Sequence, residues 1–147
     1  EWGVGQHDMA FVRSLVSTLE LDEHIRWLPL LCKQHLIEYF RLADAVFDQF
    51  GVGAFGTLAL EAMATGKPLV GYAEPRYWNQ HHGSTPPILQ ARTEDEIYER
   101  MIDLEDSAVR RKFGSAGRKW VVETCEMKKV AAHQLRIYRE VLEESNR

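Results

Sequence analysis

The segment Gly51 to Tyr72, GVGAFGTLALEAMATGKPLVGY, constrains the fold more than any other part of the chain. It opens with G-x-G-x-x-G (Gly51, Gly53, Gly56) between a strand-like Ala-Val-Phe and a helix-like LALEAMA. A second strand-like run, Leu69 to Tyr72, follows. Strand, glycine turn, helix and strand make a βαβ unit, which requires a parallel sheet. The glycines permit positive φ and close approach of backbone to a ligand. The loop also brings free amides to a helix N-terminus, where the dipole favours phosphate.

The rest of the chain extends this pattern. Phe11, Val12, Leu15, Val16 and Leu19 recur at helical spacing, with Asp8 as N-cap. Ile25 to Leu28 reads as a short strand stopped by Pro29. Lys33 to Leu42 places Leu36, Ile37 and Phe40 on one helical face. Ala45 to Phe47 predicts a strand, Leu58 to Thr65 a helix, and Leu69 to Tyr72 a strand begun by Pro68, where a strand tolerates proline. Ala73 to Pro87, rich in Pro, Asn, His and Gly, reads as a long functional loop. Ile88 to Gln90 is a last strand, and Thr93 with Glu96 forms a capping box for the helix carrying Ile97 and Met101. Two more helices follow, one capped by Ser107 and one lined by Ala131, Leu135, Tyr138 and Leu142. Tyr39, Phe40, Trp120 and Tyr138 read as packing residues. The alternation predicts a doubly wound α/β fold with a parallel sheet. Its ligands bind at the carboxyl ends of the strands, where the glycine loop, the turn after Leu28 and the His-rich loop gather.

Composition narrows the function. With 147 residues, 45% of them hydrophobic, the chain suits one domain with a buried core. A formal charge of −4 gives no basic face for nucleic acid. No apolar run approaches the ~20 residues that span a bilayer. Cys32 and Cys125 match no metal or redox spacing, and both read as reduced, structural and cytoplasmic. Lys128-Lys129 and Arg110-Arg111-Lys112 read as solvated helix faces, with a peripheral membrane contact as the other reading. The opening EWGVGQHD, in which Trp2-Gly3 reads as the tail of a strand, suggests a piece of something longer.

The glycine pattern has three readings. It is a tight turn with no ligand, an NAD fingerprint, or a phosphate loop for another nucleotide. Glu74 stands about 20 residues on, as the ribose carboxylate of an NAD site would. Against NAD, a helix, a strand and a helix precede the loop, and Asp48, Gln49 and Phe50 separate the strand from the first glycine.

The helix residues carry more information than the glycines. AFGTLALEAMATGKPLV resembles the F-G-x-x-x-L-E-A-M-A-x-G-x-P-V signature of retaining nucleotide-sugar glycosyltransferases of the GT-B fold, family-4-like group. The matching residues are Phe55, Gly56, Leu60, Glu61, Ala62, Met63, Ala64, Gly66, Pro68 and, one place late, Val70. HLIEYFRLADAVF (His35 to Phe47) and the stretch from Gly5 to Leu31 are similar to the segments that precede this signature. The likeness fades through the His-rich loop and returns weakly in the C-terminal helices.

The resemblance implies that residues 1–147 are a partial donor-binding, Rossmann-like domain lacking its first strands. An acceptor domain of the parent chain would lie before it. Glu61 would accept hydrogen bonds from the ribose hydroxyls, as a charged acceptor does strongly. Amides around Phe55, Gly56, Thr57 and Leu58 would face the diphosphate, and Leu28, Pro29 and Leu30 would lie near the base. Glu74, His81 and His82 are possible loop contacts. No metal or other cofactor is implied, because dipoles and cationic side chains stabilise the leaving diphosphate. The sequence departs from the family at Gly53, where the Glu-x7-Glu motif has its first glutamate, used on the donor sugar. That departure leaves open a non-catalytic module of the same fold. The chain alone is expected to hold half a donor site at most.

Overall fold

The computed structural model describes residues 6–54 and 56–145, with side chains from 8 to 54 and from 56 to 144. The chain divides into two units after Cys32. In the N-terminal unit, helix α1 spans Gln6–Thr18 and is followed by a 3-10 turn, Asp22–His24. Asp8 lies in the first turn of α1 and does not cap it. Val16 is buried, but Phe11, Val12, Leu15 and Leu19 are exposed. The expected strand Ile25 to Leu28 does not form. Ile25 has extended backbone (φ −115°, ψ 124°), yet no strand of the described residues pairs with this run, and a strand needs a neighbour to take its amides and carbonyls. Trp27 instead lies under the Arg13 guanidinium, 4.7 Å from it. The strand tail expected at Trp2-Gly3 lies outside the described residues.

The C-terminal unit is a three-stranded parallel sheet with helices on both faces, an α/β fold of the Rossmann kind. Helix α2 (Lys33–Leu42) leads to β1 (Val46–Phe47), α3 (Thr57–Ala64), β2 (Leu69–Gly71), α4 (Pro75–His82) and β3 (Leu89–Gln90). Helices α5 (Glu94–Asp103), α6 (Ser107–Cys125) and α7 (Met127–Ser145) complete it. The strands lie in the order β1-β2-β3, with Val46 opposite Leu69 and Val70 opposite Leu89. Successive side chains of a strand point to opposite faces, and the two cores show it. Leu69 packs with Phe40, Ala59, Met63 and Trp120, whereas Val70 packs with Leu89, Ala91 and Leu104.

Two local findings differ from the sequence reading. The segment expected as one long loop contains α4. Pro75 starts this helix, the Glu74 side chain caps it by accepting from the Arg76 amide, and Gly83 ends it at φ 74°. Its buried face is one residue, Trp78, so no apolar periodicity marked it. At α6 the cap is Asp106, whose Oδ1 accepts from the Ala108 amide at 2.7 Å; Ser107 is the first helical residue. The capping box of Thr93 and Glu96 on α5 forms as expected.

Helix α6 meets α3 through glycines. A Cβ on Gly114 would lie 2.1 Å from the Gly66 carbonyl oxygen, and one on Gly117 would lie 3.3 Å from Met63 Cγ. Arg118 donates to the Ala64 carbonyl at the end of α3. Arg110, read as solvated surface, donates to the Leu104 and Glu105 carbonyls beyond α5. Phe40 and Trp120 are buried as packing residues, while Tyr138, Leu135 and Leu142 on α7 are exposed. No described helix is long and apolar enough to cross a membrane.

Candidate functional site

The carboxyl ends of β1, β2 and β3 carry the polar residues that the sheet holds in place, and parallel α/β sheets bind ligands at this edge. Backbone pairing continues past β1: the Asp48 amide donates to Val70 O and the Tyr72 amide to Gln49 O, both at 3.0 Å. The glycine loop therefore begins closer to the paired strand than the apolar run alone suggested.

Gln49 is the residue that shapes the loop, and the sequence reading passed it over. Its Nε2 donates to Ala54 O at 3.0 Å and to Tyr72 O at 3.2 Å, while its Oε1 accepts from the Val52 amide at 2.7 Å. One side-chain amide thus ties both limbs of the loop to the end of β2. Its only signal in the sequence is a glutamine standing between a strand and a glycine cluster.

Of the three motif glycines, Gly53 alone uses positive φ, at 76°. Its carbonyl accepts from Trp78 Nε1 at 2.9 Å and from the Glu74 amide at 3.0 Å. A Cβ at Gly53 would meet Glu74 Cβ at 2.8 Å and Tyr72 Cε1 at 3.0 Å. A Cβ at Gly51 or Gly56 would meet nothing within 4 Å among the described residues, so neither glycine is hemmed in by them. Gly56 is the N-cap of α3 with no side-chain cap. The first amides of α3 are therefore not claimed by a capping side chain, as an anion site at a helix N-terminus requires. Gly56, Thr57 and Leu58 are exposed there, and Phe55 lies outside the described residues.

Glu61 lies one turn into α3, with a quarter of its side chain exposed, and its Oε1 is 2.8 Å from Lys33 Nζ at the start of α2. The partner is not a helix mate four residues on. Thr65 hydroxyl instead donates to Ala62 O.

Beside the loop, Tyr72 donates its hydroxyl hydrogen to Glu74 Oε2, and the Arg92 guanidinium lies over the Tyr72 ring at 4.5 Å. The hydrogen bond from Tyr72, then that from the Arg76 amide, hold the Glu74 carboxyl below its ordinary range. The same bond raises the Tyr72 hydroxyl above its own. Glu74 is thus a carboxylate and Tyr72 a neutral donor. Asp48 is different: burial raises its carboxyl, and its Oδ2 is buried with no hydrogen-bond partner among the described residues.

His81 and His82 occupy the last turn of α4, not a loop. His82 stacks on Trp78 at 4.9 Å and meets Trp120 edge-on at 6.2 Å, and His81 lies 4.7 Å from the Tyr77 ring. Burial, then the neighbouring charges of His81 and His133, lower the His82 imidazole below its ordinary value. Both histidines line a cavity of about 570 Å³ shared with α6 and α7, into which none of the described glycine-loop residues projects. Leu28, Pro29 and Leu30 belong to the N-terminal unit, and Leu30 is fully exposed. Among the described residues no group of three His, Cys, Asp or Glu side chains is placed to hold a metal ion.

Residues 3–120 match the family described as glycosyl transferases group 1. The chain is similar to a D-inositol 3-phosphate glycosyltransferase of Pseudarthrobacter chlorophenolicus, with 39% identity over 59 residues, 40% of this chain and 14% of that protein. Its fold is similar to that of sucrose-phosphate synthase from Thermosynechococcus elongatus, with a TM-score of 0.72 at 20% identity over 94% of this chain and 35% of the other. The chain thus spans well under half the length of either protein.

Proposed function

The chain belongs to the glycosyl transferases group 1, and from that premise we propose that it binds the nucleotide-sugar donor of a retaining glycosyltransferase. The observation that carries this reading is the uncapped N-terminus of α3 at the ligand edge of the sheet, with Glu61 one turn behind it. The amides of Gly56, Thr57 and Leu58 face the diphosphate, where backbone donors and the helix dipole stabilise the charge of the leaving group. Glu61 accepts from the ribose 2′- and 3′-hydroxyls, exchanging Lys33 for them. An acceptor domain elsewhere in the parent chain supplies the other wall of the cleft. The transfer needs no metal, so it persists in EDTA.

The test is calorimetric titration of the full-length protein with UDP-, GDP- and ADP-hexoses and with NAD. One nucleotide-sugar should bind, and Glu61→Ala should weaken it about tenfold or more, as loss of a charged hydrogen bond predicts. Binding of NAD alone would sink the reading, and unchanged affinity in Glu61→Ala would remove that residue from the ribose. Retention is read separately, as the anomeric configuration of the product by NMR.

Gly53 favours a second reading. Position 53 has no carboxylate for the donor sugar and no room for one, which suits a nucleotide-binding module without transfer activity. Nucleotide-sugar binding without turnover of any acceptor would support it.

A further inference from the structure

The glycine at position 53 and the glutamate at position 74 occupy one space between them. A side chain at Gly53 would start 2.8 Å from Glu74 Cβ, 3.0 Å from Tyr72 Cε1 and 3.3 Å from the Glu74 amide nitrogen. Non-bonded carbons do not approach so closely, so the two positions cannot both carry a side chain in this backbone. We propose that Glu74 supplies, from the end of β2, the carboxylate that the glycine loop lacks, and that with Tyr72 and Arg92 it forms the subsite for the sugar hydroxyls of the donor. This rests on the nucleotide-sugar reading above and deepens it.

Four observations support the assignment. Glu74 stands just beyond the carboxyl end of β2 and Arg92 just beyond that of β3, the edge at which parallel sheets hold their ligands. The residue is fixed to the loop it serves: its amide donates to Gly53 O at 3.0 Å, and Trp78 Nε1 donates to the same oxygen at 2.9 Å. Its carboxylate is oriented, with Oε2 accepting from the Tyr72 hydroxyl and Oε1 from the Arg76 amide at 3.3 Å. A carboxylate offers about four acceptor sites, so these two bonds leave capacity for a pair of sugar hydroxyls. Finally, Glu74 is only half-buried, so a ligand reaches it without opening the core. Acceptors held this way lose little freedom on binding, which favours a ligand of matching shape.

The test separates this subsite from the nucleotide site. Full-length wild type and Glu74→Gln are each titrated with UDP, GDP and ADP and with their hexose conjugates, and thermal midpoints are recorded. The proposal expects Glu74→Gln to bind the free nucleoside diphosphate within about twofold of wild type. It expects the matching nucleotide-hexose to bind about tenfold or more weakly, the range for a hydrogen bond to a charged group. If glutamine disturbs the cap of α4 and unfolds the protein, Glu74→Asp keeps an excellent N-cap while withdrawing the carboxylate, and it should show the same contrast. An unchanged nucleotide-hexose affinity would overturn the assignment, as would equal losses for both ligands, because a purely structural role moves both. Wild-type protein that binds no nucleotide of the set would overturn the donor-site reading itself, and this inference with it.

Discussion

Lys33 Nζ lies 2.8 Å from Glu61 Oε1, so the carboxylate proposed for the ribose is held by a cation before any ligand arrives. The Lys33 side chain is 70% exposed and that of Glu61 25%. Water therefore competes well for the lysine, and a pair of this kind contributes less than about 1 kcal/mol. Lys33→Ala should lower stability by no more than that and leave nucleotide affinity within about threefold of wild type. Urea unfolding and calorimetry check the two values. A loss of binding as large as that of Glu61→Ala would make Lys33 a ligand contact in its own right.

The glycine loop makes a sharper prediction about stability. Gly53→Ala forces a Cβ into Glu74 and Tyr72 at positive φ, which combines overpacking with backbone strain. It should cost about 2–4 kcal/mol. Gly51→Ala meets nothing within 4 Å among the described residues and should stay within about 0.5 kcal/mol of wild type. Equal effects in chemical denaturation would contradict the described loop.

Gly114 is the corresponding constraint on the helices. A Cβ there would fall 2.1 Å from the Gly66 carbonyl oxygen, so Gly114→Ala must drive α6 away from the α3–β2 turn. The expected loss is at least about 2–3 kcal/mol. Weakened hydrogen-exchange protection across α3 should accompany it, because the two helices share Met63 and Trp120 in one core.

His82 links stability to pH. Burial among Trp78 and Trp120, and the charges of His81 and His133, lower its folded value below 6.5. Glu123 and Lys129 also face the cavity it lines. In the window between that lowered value and 6.5 the unfolded chain binds more protons, so stability falls as pH falls. The contribution is fully present above the ordinary histidine range and is lost as the solution is acidified through it. His82→Phe keeps a ring against Trp78 and should flatten this part of the profile of thermal midpoint against pH. A profile unchanged in His82→Phe would exclude His82 as its source.

Much of the fold was legible because its signals are local. The helix over Lys33 to Leu42, the capping box of Thr93 and Glu96, and the strand-loop-helix at Gly51 need only neighbours in the chain to specify them. The LEAMATGKP stretch marked the family for the same reason, since Glu61 and the glycine turn lie within one βα unit. Helix α4 was hidden because its one buried residue, Trp78, makes no periodic pattern. The strand expected at Ile25 had the right residues but lacked a partner, which no local pattern reveals.

By itself the sequence determined the parallel α/β class, the order of the elements after Lys33 apart from α4, and the placement of Glu61 behind a glycine loop. The tertiary structure alone decided what surrounds those residues. It brought Lys33 to Glu61, tied the loop to β2 through Gln49, and set Glu74 in the space that Gly53 leaves empty. Residues far apart in the chain share that edge because parallel strands deliver their carboxyl ends together. Whether a glycine is a gap or a fitted surface depends on the side chain that arrives from the next strand.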